Sequence, residues 1–179
     1  RKQSLGPRTC FIEDRAMTKN PLPFVVERAI NLKADPNSVF AFHLHPKNLS
    51  RITPANLRIL SLQGPDSITV GARLRLRVSS WGIPQEWEVV IREVSDFSGY
   101  PAKATIMDEA VRGPFPYWRH LHEFWAAPDG TTGLVDRVEF LPPGGRAGCL
   151  LLPFFRRFLN QMFRSRQEAT RLLLEDGRA

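Results

Sequence analysis

All four histidines of the chain fall into two His-x-His pairs, His43/His45 and His120/His122. On a β-strand this spacing puts both imidazoles on one face. A zinc ion could use such a pair if a carboxylate such as Asp136 completed its ligands. The same residues could instead move protons, with His120 or His122 as general acid or base and Asp136 holding the ring in place. In a helix, residues two apart point ~200° from one another, so His43 and His45 cannot ligate together from one. The simpler reading makes all four histidines buried or cavity-wall groups, hydrogen-bonded to backbone or to Asp136. On that reading neither a metal nor a cofactor is expected. No G-x-S-x-G nucleophile elbow and no glycine-rich phosphate loop occurs in the sequence.

The second pair lies in Gly113-Pro114-Phe115-Pro116-Tyr117-Trp118-Arg119-His120-Leu121-His122-Glu123-Phe124-Trp125. A Gly-Pro turn signal opens it, and residues that favour extended structure follow. As a strand from Tyr117 to Trp125, it has Trp118, His120, His122 and Phe124 on one face. Tyr117, Arg119, Leu121, Glu123 and Trp125 occupy the other. Two imidazoles between two aromatics suit the wall of a partly polar cavity better than a plain core. Asp129-Gly130 is a hairpin signal, and Thr132 to Leu141 supplies an alternating partner strand that carries Asp136, Val138 and Phe140.

The other elements must support that hairpin. Pro21 and Pro23 introduce a first strand, Phe24 to Ile30. Asp35-Pro36 reads as an N-cap with proline at the first helical position. The helix it starts carries Val39, Phe40, Phe42 and His43 and ends before Pro46. A second short helix is expected over Asn48 to Ile52. Strands follow at Leu57 to Leu62, Ala72 to Ser80, Gln85 to Val94 and, more weakly, Tyr100 to Met107. In the second of these, Ala72, Leu74, Leu76 and Val78 face inward and Arg73, Arg75 and Arg77 face outward. These arginines are expected to pair with Glu86 and Glu88. Their functional alternative is docking to an acidic partner protein.

After Pro142-Pro143-Gly144-Gly145 the period becomes helical, from Gly148 or Cys149 to about Glu175. Leu151, Phe155, Phe158, Leu159, Met162, Phe163, Ala169 and Leu173 are expected on one side. Arg156, Arg157, Asn160, Arg164, Gln167 and Arg171 are expected opposite. A helix ~40 Å long needs a broad apolar floor. The fold class is α+β: a bent antiparallel sheet of about seven strands holding a long C-terminal helix, with a cavity between them.

Composition agrees. The 179 residues are 42% hydrophobic and 24% charged, enough for one domain with a real core. No apolar run approaches the ~18 residues of a membrane span. The net charge of +7 is spread over dispersed bases without a nucleic-acid module, so a solvated face is expected rather than nucleic-acid binding. Residues 1–20 read as a polar, partly disordered leader and 21–179 as the folded domain. With only Cys10 and Cys149, a disulfide framework is not expected, and a reducing cytoplasm is the expected compartment.

In this order of elements the chain resembles the START-like superfamily, also called SRPBCC. That superfamily includes polyketide cyclase/dehydrase-type proteins and lipid carriers, and the chain is most similar to a bacterial ligand-binding subgroup of it. The residues that carry the likeness are His45-Pro46-Lys47-Asn48-Leu49-Ser50-Arg51-Ile52-Thr53-Pro54 and Gly113-Pro114-Phe115 with Trp118, His120, His122 and Phe124. Gly130-Thr131-Thr132 and Asp136-Arg137-Val138 complete them. The likeness spans roughly Phe24 to Glu175 and implies a helix-grip fold with a cavity for a hydrophobic ligand. That cavity should be lined by Leu74, Leu76, Trp87, Val89, Trp118, His120, His122, Phe124, Val138, Phe140, Phe155, Leu159 and Met162. Three functions follow: a binding or carrier module for a lipid- or polyketide-like molecule, a cyclase- or dehydratase-type enzyme using a cavity histidine, or an interaction module whose cavity is vestigial.

Overall fold

The computed structural model describes residues 22–80 and 82–175. The expected leader, with Cys10, lies outside them. Strand β1 (Phe24–Leu32) leads to helix α1 (Pro36–Leu44), a 3-10 turn (Pro46–Asn48) and helix α2 (Leu49–Ile52). Strands β2 (Leu57–Gln63), β3 (Arg73–Ser80), β4 (Ile83–Ser98), β5 (Lys103–Arg112), β6 (Tyr117–Ala126) and β7 (Thr132–Leu141) follow. Two further helices are α3 (Gly145–Leu150) and α4 (Leu152–Glu175). These seven strands form one antiparallel sheet in the order β1-β7-β6-β5-β4-β3-β2. Register shifts in β2 and β4 are the kind of irregularity that lets such a sheet curve.

Local chemistry sets the boundaries. Asp35 accepts a hydrogen bond from the Ser38 backbone N–H at 2.8 Å, and Pro36 opens α1, so the N-cap expectation holds. At the β6–β7 turn Gly130 has φ 80°, a conformation that suits glycine. The Asp129 carboxylate there accepts from the Thr131 hydroxyl at 2.7 Å. A Cβ at Gly113 would stand 3.1 Å from the Trp87 ring, so glycine lets the chain pass close to that indole before β6 begins.

Four expectations are corrected. The second short helix is split: Pro46–Asn48 is 3-10 and only Leu49–Ile52 is α-helical. The long C-terminal helix is two segments that break at Leu151, with Pro153 in the first turn of α4, where a missing N–H costs nothing. Leu151, expected in the apolar stripe, is exposed at that break. Gln167, expected to face outward, is buried. On α4 the buried residues are Leu152, Leu159, Met162, Phe163, Gln167 and Thr170, so the stripe continues past Phe163 in polar residues.

The core lies between sheet and helix. Phe124, Phe140, Leu134, Val138, Leu159 and Phe163 are almost fully buried in it. On the outer face, Arg73 and Arg75 pair with Glu88 at 3.0 and 3.7 Å, and Arg77 with Glu86 at 3.6 Å.

Candidate functional site

A cavity of about 400 Å³ lies between the sheet and α4, within the size range of small-molecule sites. Of the residues expected to line it, Leu74, Leu76, Trp87, Val89, Trp118, His120, His122, Phe155, Leu159 and Met162 do so. Phe124, Val138 and Phe140 do not. They sit deeper, in the core that backs the wall: Phe124 packs edge-on against Phe40 and His43, and Phe140 against Phe24 and Phe115. At one end of the cavity Trp87, Phe115 and Trp118 form an aromatic cluster with centroids 5.2–5.9 Å apart.

Next to it the wall carries a charged cluster, with Trp118 and His120 ring centroids 6.5 Å apart. Strand register places Asp108 of β5 opposite His120 of β6, and His122 opposite Asp136 of β7. His120 lies between two carboxylates. Its Nδ1 is 3.5 Å from Asp108 Oδ2 and its Nε2 is 3.3 Å from Asp136 Oδ1. His122 Nδ1 comes within 2.7 Å of the same Asp136 oxygen, but out of line for a hydrogen bond. The other Asp136 oxygen accepts from Gln167 Nε2 at 2.6 Å, and the same amide donates to the Arg28 carbonyl at 3.1 Å. Gln167 thereby ties α4 to β1 and β7.

These contacts set the charges. Burial opposes a charge on His120, but hydrogen bonds to Asp108 and Asp136 outweigh it and push its pKa up to about 9. Burial also works against ionisation of Asp136, yet the adjacent imidazoles of His120 and His122 hold its pKa well below the usual carboxylate value. His122 is lowered, first by burial and then by the charge on His120. His43 lies over His122 and Phe124, with ring centroids 5.3 and 5.1 Å away. Its Nδ1 donates to the Val39 carbonyl at 2.8 Å. Burial and the neighbouring His122 bring it down to about 4, so it stays neutral. His45 is exposed, stands at the cavity rim and bonds the Asp66 carbonyl at 2.8 Å. The first His-x-His pair is therefore divided between two places.

Asp108, His120 and His122 each bring one donor atom within 4.8 Å of one another, a set of ligand types that a divalent cation accepts. The imidazolium of His120 supplies the positive charge between Asp108 and Asp136.

Two contributors, Asp108 and Arg166, escape the sequence reading, whereas His43 is expected there as a buried or cavity-wall group. Asp108 continues the alternation Ala104, Ile106, Asp108 on β5, one residue past the expected strand end at Met107. His43 projects from α1 into the same cluster. Arg166 follows Met162 and Phe163 by one turn of α4 and lines the cavity, with its Nε buried and lacking a hydrogen-bond partner. Continuing the 3.6-residue period through Arg166, Gln167 and Thr170 is the signal that finds the last of these.

No protein-family model and no curated protein sequence matches the chain. Solved structures do. TTHA0849 from Thermus thermophilus aligns with a TM-score of 0.65 at 14% identity, covering 87% of this chain and all of that one. A START superfamily protein from Mycobacterium smegmatis aligns at 0.59 and 15% identity over 85% of this chain and 97% of that one. Norcoclaurine synthase from Thalictrum flavum, in complex with dopamine and hydroxybenzaldehyde, aligns at 0.60 and 12% identity over 86% and 88%. At these identities the likeness is one of fold, and the chain carries the START-like helix-grip fold of the SRPBCC type.

Proposed function

We propose that the protein binds a hydrophobic or amphipathic small molecule in the cavity between sheet and α4. One observation carries this reading: a space of about 400 Å³ has largely apolar walls and one cluster of charged groups. Aliphatic and aromatic side chains would clasp the ligand's body, and the charged cluster would orient it. Norcoclaurine synthase, of similar fold and in complex with dopamine and hydroxybenzaldehyde, supports the reading by analogy. The open volume weighs against a vestigial cavity.

A second reading, a cyclase- or dehydratase-type enzyme, is favoured by the placement of His120, His122 and Asp136 at the cavity wall. Efficient proton transfer needs a group that titrates near the working pH. His43 is held at about 4, His122 is lowered and His120 is raised to about 9. His43 and His120 are thus displaced to either side of neutrality, and both nitrogens of His120 face carboxylates. Binding without chemistry is the reading this arrangement supports better.

Native mass spectrometry of the purified protein, followed by extraction and identification of what it carries, tests the proposal. A stoichiometric small molecule that leaves unchanged from wild type and His122→Ala is expected. A protein that takes up no apolar molecule under any loading would end the binding reading. A product made by wild type and absent with His122→Ala would establish the enzymatic one.

A further inference from the structure

Four charged groups meet at the cavity wall. Asp108 and Asp136 are acidic, and His120 and Arg166 are basic. His43 and His122 sit with them, and burial and the neighbouring imidazoles lower the pKa of both. His45 stands at the exposed rim. Among the described residues no other Lys, Arg, Asp or Glu lines the space. The two acids and two bases form one group: His120 bridges both carboxylates, and the same two carboxylates act on Arg166 at longer range. Two negative charges meet two positive ones.

Their hydrogen bonds are satisfied less evenly than their charges. Asp136 has one oxygen on His120 and the other on Gln167. Arg166 stacks near the Phe163 ring at 5.8 Å, and its Nε is buried with no acceptor. An unpaired buried donor is costly, and a guanidinium cannot relieve the cost by losing its proton. The Arg166 side chain lines the cavity and has unused donor capacity for an oxygen, whereas an added charge would break a balance already reached in a low-dielectric space.

We propose, building on the binding reading above, that the cavity selects uncharged amphiphiles over acids and amines, and that Arg166 donates to a neutral oxygen of the ligand. The ligand class is an apolar body ending in a ketone, ester, amide or hydroxyl group. A carboxylate would gain Arg166 but leave the cavity one negative charge in excess beside Asp108 and Asp136. An ammonium group would find both carboxylates already taken by His120.

The test uses three probes of one shape on the full chain: 2-acetylnaphthalene, 2-naphthoate and 2-naphthylmethylammonium, titrated calorimetrically at neutral pH. Wild type should bind the ketone at least ~10-fold more tightly than the acid or the amine, the worth of one hydrogen bond to a charged group. In Arg166→Met the ketone should weaken by a similar factor and the amine should strengthen, because the variant cavity carries one net negative charge. Arg166→Lys should keep the order of wild type. Circular dichroism melting checks that each variant folds, and Arg166→Gln replaces Arg166→Met if that variant does not. Wild-type preference for the acid, or an unchanged order in the folded neutral variant, overturns the inference and leaves the binding reading intact. No uptake of any probe by wild type overturns both.

Discussion

The two faces of one sheet carry the same kind of contact with different consequences. On the outer face Arg73, Arg75 and Arg77 pair with Glu86 and Glu88, and the arginine side chains are more than half exposed. On the inner face His120 pairs with Asp108 and Asp136, and the His120 and Asp136 side chains are only 6% and 5% exposed. Water screens the first set and competes for its hydrogen bonds, so each pair contributes ~0–1 kcal/mol. The inner set has left water. Its stability rests on every member having a partner, and removing one strands the rest. Outside, charge is a way to stay solvated. Inside, it fixes where the sheet, α1 and α4 meet and gives the cavity its polar cluster.

The largest test of this contrast is His120→Leu. It leaves Asp108 and Asp136 facing one another without the cation between them. A loss of ~3–5 kcal/mol is expected, read as a lower midpoint in urea unfolding. A loss below ~1 kcal/mol would place the inner cluster in the same class as the outer pairs.

Next comes pH. The folded-state pKa of His120, about 9, lies above its ordinary 6.5. Its contribution is therefore full below 6.5 and is lost as pH climbs from 6.5 towards 9. His43, held at about 4, works in the opposite sense: stability falls as pH drops from 6.5 towards 4. Asp136, lowered further, adds to the loss at the acid end. Thermal melting should give a maximum near pH 6.5, with the alkaline slope reduced in His120→Leu. A flat profile from 6.5 to 9 in wild type would contradict the assigned charge on His120.

The smallest effect is expected outside. Arg75→Ala, whose side chain is 68% exposed, should change stability by less than ~1 kcal/mol. Raising salt should shrink even that difference.

Much of the architecture is legible in the sequence because it is written in periodicity. The alternation from Ala72 to Ser80 and from Tyr117 to Trp125 tells which faces turn inward, and Asp35-Pro36 tells where α1 begins. The face shared by Trp118, His120 and His122 is readable for the same reason. Register is not. That Asp108 stands opposite His120, and Asp136 opposite His122, depends on long-range pairing, to which single-strand patterns are blind. Arg166 and Gln167 are hidden for another reason: a buried stripe is traced by apolar residue type, and these two continue it with polar side chains. Gln167 is buried where it bonds Asp136, and Arg166 lines the cavity, a tertiary cause that leaves no mark on local composition.

A ligand that occupies the cavity must be excluded when the cavity is filled. Calorimetric titration with 2-acetylnaphthalene can compare wild type with Val89→Trp/Met162→Trp, whose added indoles fill the space from the sheet and from α4. Binding of one molecule per wild-type chain is predicted, with no binding to the filled variant although it melts cooperatively. Equal binding to both proteins, or none to wild type, would contradict the claim.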